Sequence, residues 1–463
     1  MTRKSASCTT MLVGKNASLD GSTLIARNED AGAVSLPQKF VVIQPEQQPA
    51  TFHAVLSGCS IPLPKDPLRY TSTPEADESQ GVWAASGINS ANVAMTATET
   101  ITTNARVLAI DPLVTEGIGE ADFVSIVLPY IRSAREGVLR LGELLETYGT
   151  YESNGLAFAD REEIWYMETI GGHHWAAIRI PDDAYVIAPN RMNIATFDFD
   201  SQDTLFSDDL PDMIVSNHLN PDFEGINLRH IFGSATEKDT RYNNPRAWYI
   251  QKQFSETASD PLDQDLPFIC LPKKKISVMD VKWALSSHFQ NTPYDPYGNG
   301  TASERTRFRS IALNRNQQVH ILQVRSHVPD EIAGVHWLAF GPNTFNGVVP
   351  FYSNVNETPK GYCDTTTTYD PGNSYWLTKT LALIGDQDYD LYSDLAERFE
   401  QTIMANCLAI QQKTDQTIPL TNQLLEEANR EMAQLYLSHA TQLLGEMVER
   451  GNTKMKLRFS LTD

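Results

Sequence analysis

Hydrophobic and polar residues alternate at the start of the chain in the manner of a β-hairpin. CTTMLVG (residues 8–14) has a β-like pattern, KNASLDG supplies turn residues, and STLIARNED resumes an apolar run. Asp20-Gly21 between two β-prone segments is a typical hairpin turn, because glycine tolerates the positive φ that tight turns require. The pattern therefore predicts two antiparallel strands that turn near these residues.

Short β-prone segments separated by turn residues continue along the chain, among them FVVIQ, GVWAASGI and NVAMTATET. LAFADREEIWYMETIGGHHWAAIRIPDDAYVIAPNRMNI (residues 156–194) predicts a meander of three or four antiparallel strands. QVHILQVRSHVPDEIAGVHWLAFG (residues 318–341) returns to the β pattern. The sequence thus predicts a large amount of antiparallel sheet.

Several helices interrupt and follow these strands. Apolar residues at helical spacing predict one helix over residues 122–149, with Gly149 placed to end it. PRAWYIQKQFS and SVMDVKWALSSHFQ are predicted as shorter helices. From about Tyr375 to Gly451, apolar residues four apart predict two long helices that cover one side of the molecule, and KMKLRFSLTD after them is a candidate closing strand. Strands and long helices without regular alternation predict the α+β class.

Composition narrows the classes of partner and compartment. The chain has 463 residues and a formal net charge of −21, which argues against nucleic-acid or membrane partners because both require a basic surface. The five cysteines show neither a disulfide framework nor zinc spacing; they are Cys8, Cys59, Cys270, Cys363 and Cys407. We find no signal-peptide core and no apolar run long enough for a membrane span. These features predict a soluble, reduced, cytoplasmic protein.

Familiar catalytic and cofactor motifs are missing from the sequence. It contains no HExxH, no Walker loop, no Rossmann glycine fingerprint and no GxSxG elbow. His173 and His174 in GGHHW are the nearest approach to a metal pair. Adjacent residues of a strand point to opposite faces, so we expect the two histidines to have a structural role. No metal and no organic cofactor is predicted.

Cys8 is the remaining candidate for chemistry. A free cysteine in a β-run is most often a small buried hydrophobe. However, Cys8 is close enough to the start of the chain to become its N-terminus after a short cut, and the predicted hairpin returns Arg27 and Asp30 to its side. A neighbouring guanidinium lowers a thiol pKa, and a free α-amine titrates near neutrality, at a pKa of about 7.7–8.0. Cys8 could then be both nucleophile and base, with Asp30 holding the amine.

The stretch CTTMLVGKNASLDGSTLIARNED closely resembles the start of the mature chain in bacterial C69-family dipeptidases, the dipeptidase A group of lactic acid bacteria. Further blocks resemble the family in the same order: GINSANVAMTATETI, HHWAAIRIPDDAYVIAPNRMNI, YNNPRAWYIQKQF, HFQNTPYDPYG and VHILQVRSHVPDEIAGVHWLAFG. These enzymes are cysteine N-terminal-nucleophile (Ntn) hydrolases. The resemblance implies an αββα sandwich of two antiparallel sheets between helix layers, and hydrolysis of short peptides by a cysteine exposed through propeptide removal.

The resemblance also implies roles for individual residues. In the more distant penicillin V acylase and bile salt hydrolase, an Arg-Asn-x-Asp element follows the N-terminal cysteine, and Arg27 and Asp30 match it. Asn190 in IAPNRM matches the oxyanion-hole asparagine, and Arg246 in NNPRAW is the counterpart of an active-site arginine.

Glu99 in TATET falls near the position whose backbone N–H serves the oxyanion, where this sequence departs from the acylase asparagine. For a dipeptide, a carboxylate is the natural partner of the free amino group, and Glu29 and Glu99 are the candidates. Glu99 and Asn28 are assigned to substrate binding. A solvated surface acid is the alternative for either glutamate.

The implied organisation is a propeptide (residues 1–7), a catalytic domain (8–370) and a helical C-terminal region (371–463) packed on the same domain. Family resemblance also predicts a homo-oligomer. Two other functions remain open. One is an amidase acting on non-peptide acyl amides, as in the acylases. The other is a regulatory, non-digestive protein like the secernins, for which Cys8 need not be exposed.

Overall fold

The computed structural model describes residues 7–32, 36–255 and 260–457. Its strands, in chain order, are β1 (Thr9–Val13), β2 (Thr23–Asp30), β3 (Val41–Ile43), β4 (Thr51–His53), β5 (Ser60–Pro62), β6 (Tyr70–Ser72), β7 (Ser86–Ile88), β8 (Ala94–Thr100), β9 (Asn154–Ala159), β10 (Ile164–Ile170), β11 (His174–Ile180), β12 (Tyr185–Ala188), β13 (Thr204–Phe206), β14 (Ile269–Cys270), β15 (Asn316–Val324), β16 (Gly334–Phe340) and β17 (Val349–Tyr352).

The α-helices are α1 (Ala105–Leu108), α2 (Phe123–Val127), α3 (Ala134–Tyr148), α4 (Leu210–Ser216), α5 (Leu228–Phe232), α6 (Asn244–Phe254), α7 (Val278–Leu285), α8 (Ala302–Arg305), α9 (Ser374–Gly385), α10 (Tyr389–Asp415) and α11 (Asn422–Asn452). A short π-helical turn, Asp239–Asn243, leads directly into α6. Within the described residues, no helix has the length and apolar character needed to cross a membrane.

Two antiparallel sheets form the centre of the molecule. The larger has the order β14-β12-β1-β2-β15-β16-β17, and the smaller has the order β13-β11-β10-β9-β8-β7. Two further pairs, β3 with β6 and β4 with β5, stand apart from them. Mixed helices and antiparallel sheets agree with the predicted α+β class.

The predicted hairpin is confirmed as β1 and β2, which lie next to each other in the larger sheet with Thr10 opposite Arg27. Gly21 adopts a φ of 82° in the connection, and the Asp20 carboxylate accepts a hydrogen bond from Ser22 N at 3.1 Å. Every residue of both strands is buried. Because both faces of these strands are covered, apolar and reactive side chains alike are removed from water.

The alternation of side chains along the strands produces a layered core. Leu12 and Ile25 of the larger sheet pack against the smaller sheet, where they share a cluster with Tyr166. Met11 and Leu24 point to the other face and pack beneath α6 and α7. The outer face of the smaller sheet is covered in the same way by α2 and α3. The order of layers is therefore helices, sheet, sheet, helices.

The predicted meander covers three strands, not four. β9, β10 and β11 pair in succession within the smaller sheet, whereas β12 crosses to the larger sheet and pairs with β1. The crossing requires a close approach of backbones, because a Cβ atom on Gly14 would lie 2.5 Å from the carbonyl oxygens of Pro181 and Asp182. Glycine at position 14 thus allows β12 to reach β1.

The helix predicted over residues 122–149 is divided in two. α2 passes into a short 3₁₀ turn that contains Pro129, and α3 starts anew after Ser133, whose side chain caps it by accepting a hydrogen bond from Glu136 N. Proline favours such a break because it lacks the N–H of an interior helical residue. The predicted end is confirmed: Gly149 has a φ of 68° and donates to Leu145 O.

The C-terminal region contains three helices where two were predicted. α9 and α10 are separated at Asp386–Asp388, and the Asp388 side chain caps α10 by accepting from Leu391 N at 3.3 Å. The helices pack on the far end of the larger sheet through a cluster that includes Phe351 and Ile403. Residues 454–457 are not in a strand, and the rest of the predicted closing strand, 458–463, lies outside the described residues.

Candidate active site

Cys8 lies directly before β1, joined to Ser7, and is completely buried. Thr10 is paired with Arg27 across the hairpin, and side chains two residues apart in a strand share a face. The Arg27 side chain consequently points towards Cys8, and its Nη1 donates a hydrogen bond to Cys8 Sγ at 3.0 Å. The structure thus brings together two of the residues singled out in the sequence.

Arg27 is held rigidly in this position. Its Nη2 donates to the carbonyls of Ala85 (3.0 Å) and Ala97 (2.6 Å), and its Nε donates to Thr96 Oγ1 (3.1 Å). Nη1 also forms an ion pair with Glu29 Oε2 at 2.6 Å. Burial opposes the charge on the guanidinium, but Glu29 outweighs it and raises the pKa of Arg27 above its ordinary value. Arg27 therefore remains a cation beside the sulfur.

The Cys8 thiol is not acidified in this state. Burial raises the pKa of Cys8 well above its ordinary value, and the positive charge of Arg27 offsets only part of this effect. Arg27 therefore acts in the predicted direction and lowers the thiol pKa, but in the chain with Ser7 attached burial outweighs it. Desolvation of a thiolate at a fully buried site exceeds the attraction of one cation that already shares its charge with Glu29.

Asp30 lies at the end of β2, and Arg309 connects it to Ser7. Its two carboxylate oxygens accept hydrogen bonds from Arg309 Nη2 and Asn316 Nδ2. The same Arg309 nitrogen donates to the Ser7 carbonyl oxygen at 3.2 Å. Burial raises the pKa of Asp30 despite both of these partners.

Arg246, near the start of α6, connects Cys8 with Asn190. Its Nη1 donates to the Cys8 carbonyl oxygen and to Thr9 Oγ1 (2.8 Å), while its Nη2 donates to Asn190 Oδ1 (2.8 Å) and Asn243 Oδ1 (2.7 Å). Burial lowers the pKa of Arg246 to about 9, with a further contribution from Arg309. One guanidinium thus fixes the backbone of the cysteine relative to the half-buried asparagine.

Asn190 follows β12 and donates from its Nδ2 to the carbonyl oxygen of Thr100 at 3.0 Å. That contact brings it to the end of β8, the strand that carries Glu99. Glu99 is completely buried; its Oε2 accepts from Thr10 Oγ1 at 2.9 Å, and its Oε1 has no hydrogen-bond partner among the described residues. Burial raises the pKa of Glu99 to about 8, although Arg246 and Arg27 oppose the rise.

One polar cluster therefore lies between the two sheets and the start of α6. It consists of the buried side chains of Cys8, Arg27, Glu99 and Arg246 and the half-buried side chain of Asn190. A sequence profile of Peptidase family C69 matches residues 7–402 of this chain. The chain belongs to peptidase family C69. This membership confirms the resemblance drawn from the sequence blocks, and with it the prediction of a peptide-bond hydrolase.

Curated relatives match the chain over nearly its full length. A protein named probable dipeptidase B from Lactococcus lactis subsp. lactis is 58% identical over 469 residues, covering 100% of this chain and 99% of the relative. Dipeptidase A from Lactobacillus helveticus is 52% identical over 474 residues, covering 99% of this chain and 100% of the relative. A probable dipeptidase from Salmonella dublin is 36% identical, covering 81% of this chain and 90% of the relative.

Asn28 and Glu29, two candidates for substrate binding, make contacts within the protein. Asn28, assigned to substrate binding, donates to Leu285 O at 2.7 Å and accepts from Asn343 Nδ2 at 2.9 Å, so its amide joins β2 to α7. It points to the face of the sheet opposite Arg27, as its neighbouring position in the strand requires. Glu29 is buried against Arg27 and is not a solvated surface acid.

The sequence patterns did not point to Arg309, Asn316 or Tyr242. Arg309 bridges Asp30 and Ser7, and its guanidinium lies 5.4 Å from the centre of the Tyr242 ring. Burial favours the neutral phenol, but Arg309 and Arg246 outweigh it and lower the pKa of Tyr242 to about 8. One sequence feature could have pointed to Arg309: the alternating arginines of RTRFR (residues 305–309) stand out in an acidic chain.

The two histidines of GGHHW do not point to opposite faces. His173 lies in the turn before β11, so both Nδ1 atoms reach the Asp111 carboxylate, at 2.9 Å for His173 and 2.7 Å for His174. Their structural role agrees with the sequence analysis, because Asp111 ties this turn to the segment after α1. No group of three or more His, Cys, Asp or Glu side chains suited to a metal ion occurs in the part of the chain described.

Proposed function

We propose that the protein is a dipeptidase whose nucleophile is Cys8, exposed as the N-terminal residue by cleavage of the Ser7–Cys8 bond. The observation that carries this proposal is the convergence on Cys8 of Arg27, at 3.0 Å from the sulfur, and of Arg246, which joins the cysteine to Asn190. The names of the curated relatives support the choice of dipeptides as substrates. The four-layer order of helices and sheets supports assignment to the Ntn-hydrolase sandwich.

Cleavage at Ser7 would create the catalytic base. The new α-amine of Cys8 has an ordinary pKa of about 7.7–8.0, so it takes the thiol proton as the sulfur attacks and delivers it to the leaving amine. Asp30 is the proposed partner of the resulting ammonium, because Arg309 Nη2 already contacts both Asp30 and the Ser7 carbonyl beside the Cys8 nitrogen. The charged amine also offsets the burial that raises the thiol pKa.

The reaction passes through a tetrahedral intermediate and a thioester. Asn190 Nδ2 and the backbone N–H near Glu99 are the proposed oxyanion donors, since Asn190 already contacts the end of β8. Collapse of the intermediate breaks the peptide bond, and the leaving amine carries away the proton from the α-amine. Water then attacks the thioester and releases the free acid together with the thiol.

Glu99 is the proposed receptor of the free amino group of the substrate. It is buried on the same face of β1 as Cys8, through its contact with Thr10, and Oε1 is without a hydrogen-bond partner in the described residues. An ammonium group would supply that partner and favour the ionised carboxylate. A buried carboxylate of this kind favours substrates with a free amine over acyl amides that lack one.

The segment 371–463 is proposed to belong to the same unit as residues 8–370, because its helices share a core with β17. The proposed activity is tested by the intact mass of purified protein and by hydrolysis of a panel of dipeptides, with penicillin V and conjugated bile acids as the acylase substrates. We expect a mass that corresponds to Cys8 as the first residue, and turnover of dipeptides only. Fully active protein that retains residues 1–7 would refute the mechanism, and Cys8→Ser should abolish turnover.

A further inference from the structure

A basic pocket lies next to Ser7, on the side of Cys8 away from Glu99. The pocket has a volume of about 490 Å³, and its lining carries four cations and one carboxylate: Lys238, Arg241, Arg307, Arg309 and Glu237. Tyr242 completes the wall next to Arg309. Such a concentration of positive charge contrasts with the net charge of −21 of the chain as a whole.

The cations are arranged from the surface inwards. Arg241 is exposed and pairs with Glu237 at 2.7 Å, while Lys238 lies over the Tyr242 ring and Arg307 lies over the Phe308 ring. Arg309 is buried at the base. Asp30 also pairs with Arg309, and with this carboxylate counted the lining still keeps an excess of positive charge, which attracts an anion of low molecular weight from solvent.

In the unprocessed chain Ser7 contacts Arg309, the buried residue of the pocket lining. Arg309 Nη2 donates to the carbonyl oxygen of Ser7 at 3.2 Å and to its hydroxyl oxygen at 3.3 Å. Ser7 is bonded to the Cys8 nitrogen, which is the proposed proton donor to the leaving amine. The departing residue of a substrate would therefore lie on the side on which Ser7 now lies. Removal of Ser7 frees the Arg309 Nη2 hydrogen that Ser7 accepts, while Asp30 keeps the other.

We propose that the basic pocket, with Arg309 at its base, binds the free C-terminal carboxylate of the dipeptide. This inference rests on the proposed function, since it assigns the departing half of the same substrate. A carboxylate oxygen in the place of Ser7 would accept from Arg309 Nη2 and add a negative charge, which an uncharged serine oxygen does not. A longer peptide would put a neutral amide at this position, so the pocket also selects dipeptides over longer chains.

The two ends of the substrate would then be recognised by opposite charges on opposite sides of β1. Glu99 is joined to the strand through Thr10, and Arg309 is joined to it through Thr9 at 3.4 Å. Neighbouring strand residues point to opposite faces. A dipeptide, which is positively charged at one end and negatively charged at the other, is oriented across Cys8 by this arrangement.

The test compares a dipeptide with its C-terminal amide on processed enzyme whose mass has been verified. Wild-type enzyme is expected to favour the free acid in kcat/KM by about 10- to 100-fold, the loss typical of a charge-assisted hydrogen bond. A triple variant of the exposed cations, Lys238→Gln, Arg241→Gln and Arg307→Gln, is expected to raise KM several-fold for the acid and to leave the amide unchanged. These three side chains make no hydrogen bond to Ser7 or Asp30 in the described structure, so processing should proceed.

A matched control replaces the same number of exposed cations on the C-terminal helices, Arg398→Gln, Lys413→Gln and Arg430→Gln, and should preserve the preference. Equal kcat/KM for the acid and the amide in the wild type would overturn the inference while leaving the dipeptidase intact. A triple variant that affects both substrates alike would overturn it as well. If processed enzyme hydrolyses neither substrate, the proposed function itself fails.

Discussion

Replacing Glu99 by glutamine should make the protein more stable and a poorer enzyme. Burial raises the pKa of Glu99 to about 8 from an ordinary value of 4.5. The folded protein therefore keeps a proton on this carboxyl group that the unfolded chain releases above pH 4.5, so the stability present at low pH is lost as the pH rises towards 8. Glutamine has the shape of the neutral acid and does not titrate.

The size of the effect follows from this difference. About 2.5 pH units separate the unfolded pKa from pH 7, and each unit is worth about 1.4 kcal/mol, which gives a loss of about 3 kcal/mol for the wild type at neutral pH. Glu99→Gln avoids that loss. Urea unfolding of both proteins at pH 5 and pH 8 should show the stability gap widening by about 3 kcal/mol between the two conditions.

Activity measurements distinguish the effect of Glu99→Gln on stability from its effect on substrate binding. Glu99→Gln should raise KM for dipeptides by about 10- to 100-fold because it removes the proposed charged partner of the substrate amine. Asp122→Asn is the matched control: burial raises the pKa of Asp122 to about 7, but the side chain contacts Gly119 and makes no hydrogen bond to Cys8 or Arg27. It should gain stability without losing turnover. A stability gap that does not change with pH would refute the electrostatic reasoning, and an unchanged KM would refute the assigned role.

Three further substitutions test the site and the fold. Asn190→Ala should lower kcat by about 10²–10³ with little change in KM, as expected for loss of an oxyanion donor; an effect confined to KM would argue against that role. Asp30→Asn should slow both propeptide removal, followed by intact mass, and turnover of the processed fraction, by about 100-fold; normal processing and turnover would contradict the proposed contact with the α-amine. Gly14→Ala should cost about 1–3 kcal/mol in urea unfolding because its Cβ would lie 2.5 Å from two carbonyl oxygens. Gly445→Ala should gain about 1 kcal/mol, because the added Cβ would lie inside α11 with no atom of the rest of the described chain within 4 Å. Equal effects at the two glycines would refute the steric argument.

Local pattern was sufficient to predict the parts of the site that lie on one hairpin. The alternation of CTTMLVG and STLIARNED placed Cys8 and Arg27 on paired strands, and the structure brings their side chains into contact. Arg309 could not be found in this way, since 279 residues separate it from Asp30 and only the tertiary fold joins them.

The pKa values of buried groups could not be predicted from the sequence either. The sign of the charge on Arg27 was evident, but the pKa of Cys8 depends on how completely the fold excludes water, and burial prevails. Glu99 is buried after a register shift in β8 between Ala97 and Glu99, and no residue pattern in TATET predicts either feature. Homo-oligomerisation and the cytoplasmic location stay predictions.

The crossing of β12 from one sheet to the other has a consequence for how the enzyme would fail. Ala188 of β12 is paired with Thr10 of β1, so Asn190 and Cys8 extend from the same ladder of backbone hydrogen bonds. A slip of one residue along that ladder would turn Asn190 to the opposite face. The alignment of the proposed nucleophile and the proposed oxyanion donor is therefore as durable as the pairing of β12 with β1. Heat should inactivate the enzyme only when the sheet itself melts, without an earlier stage in which a folded protein has lost its activity.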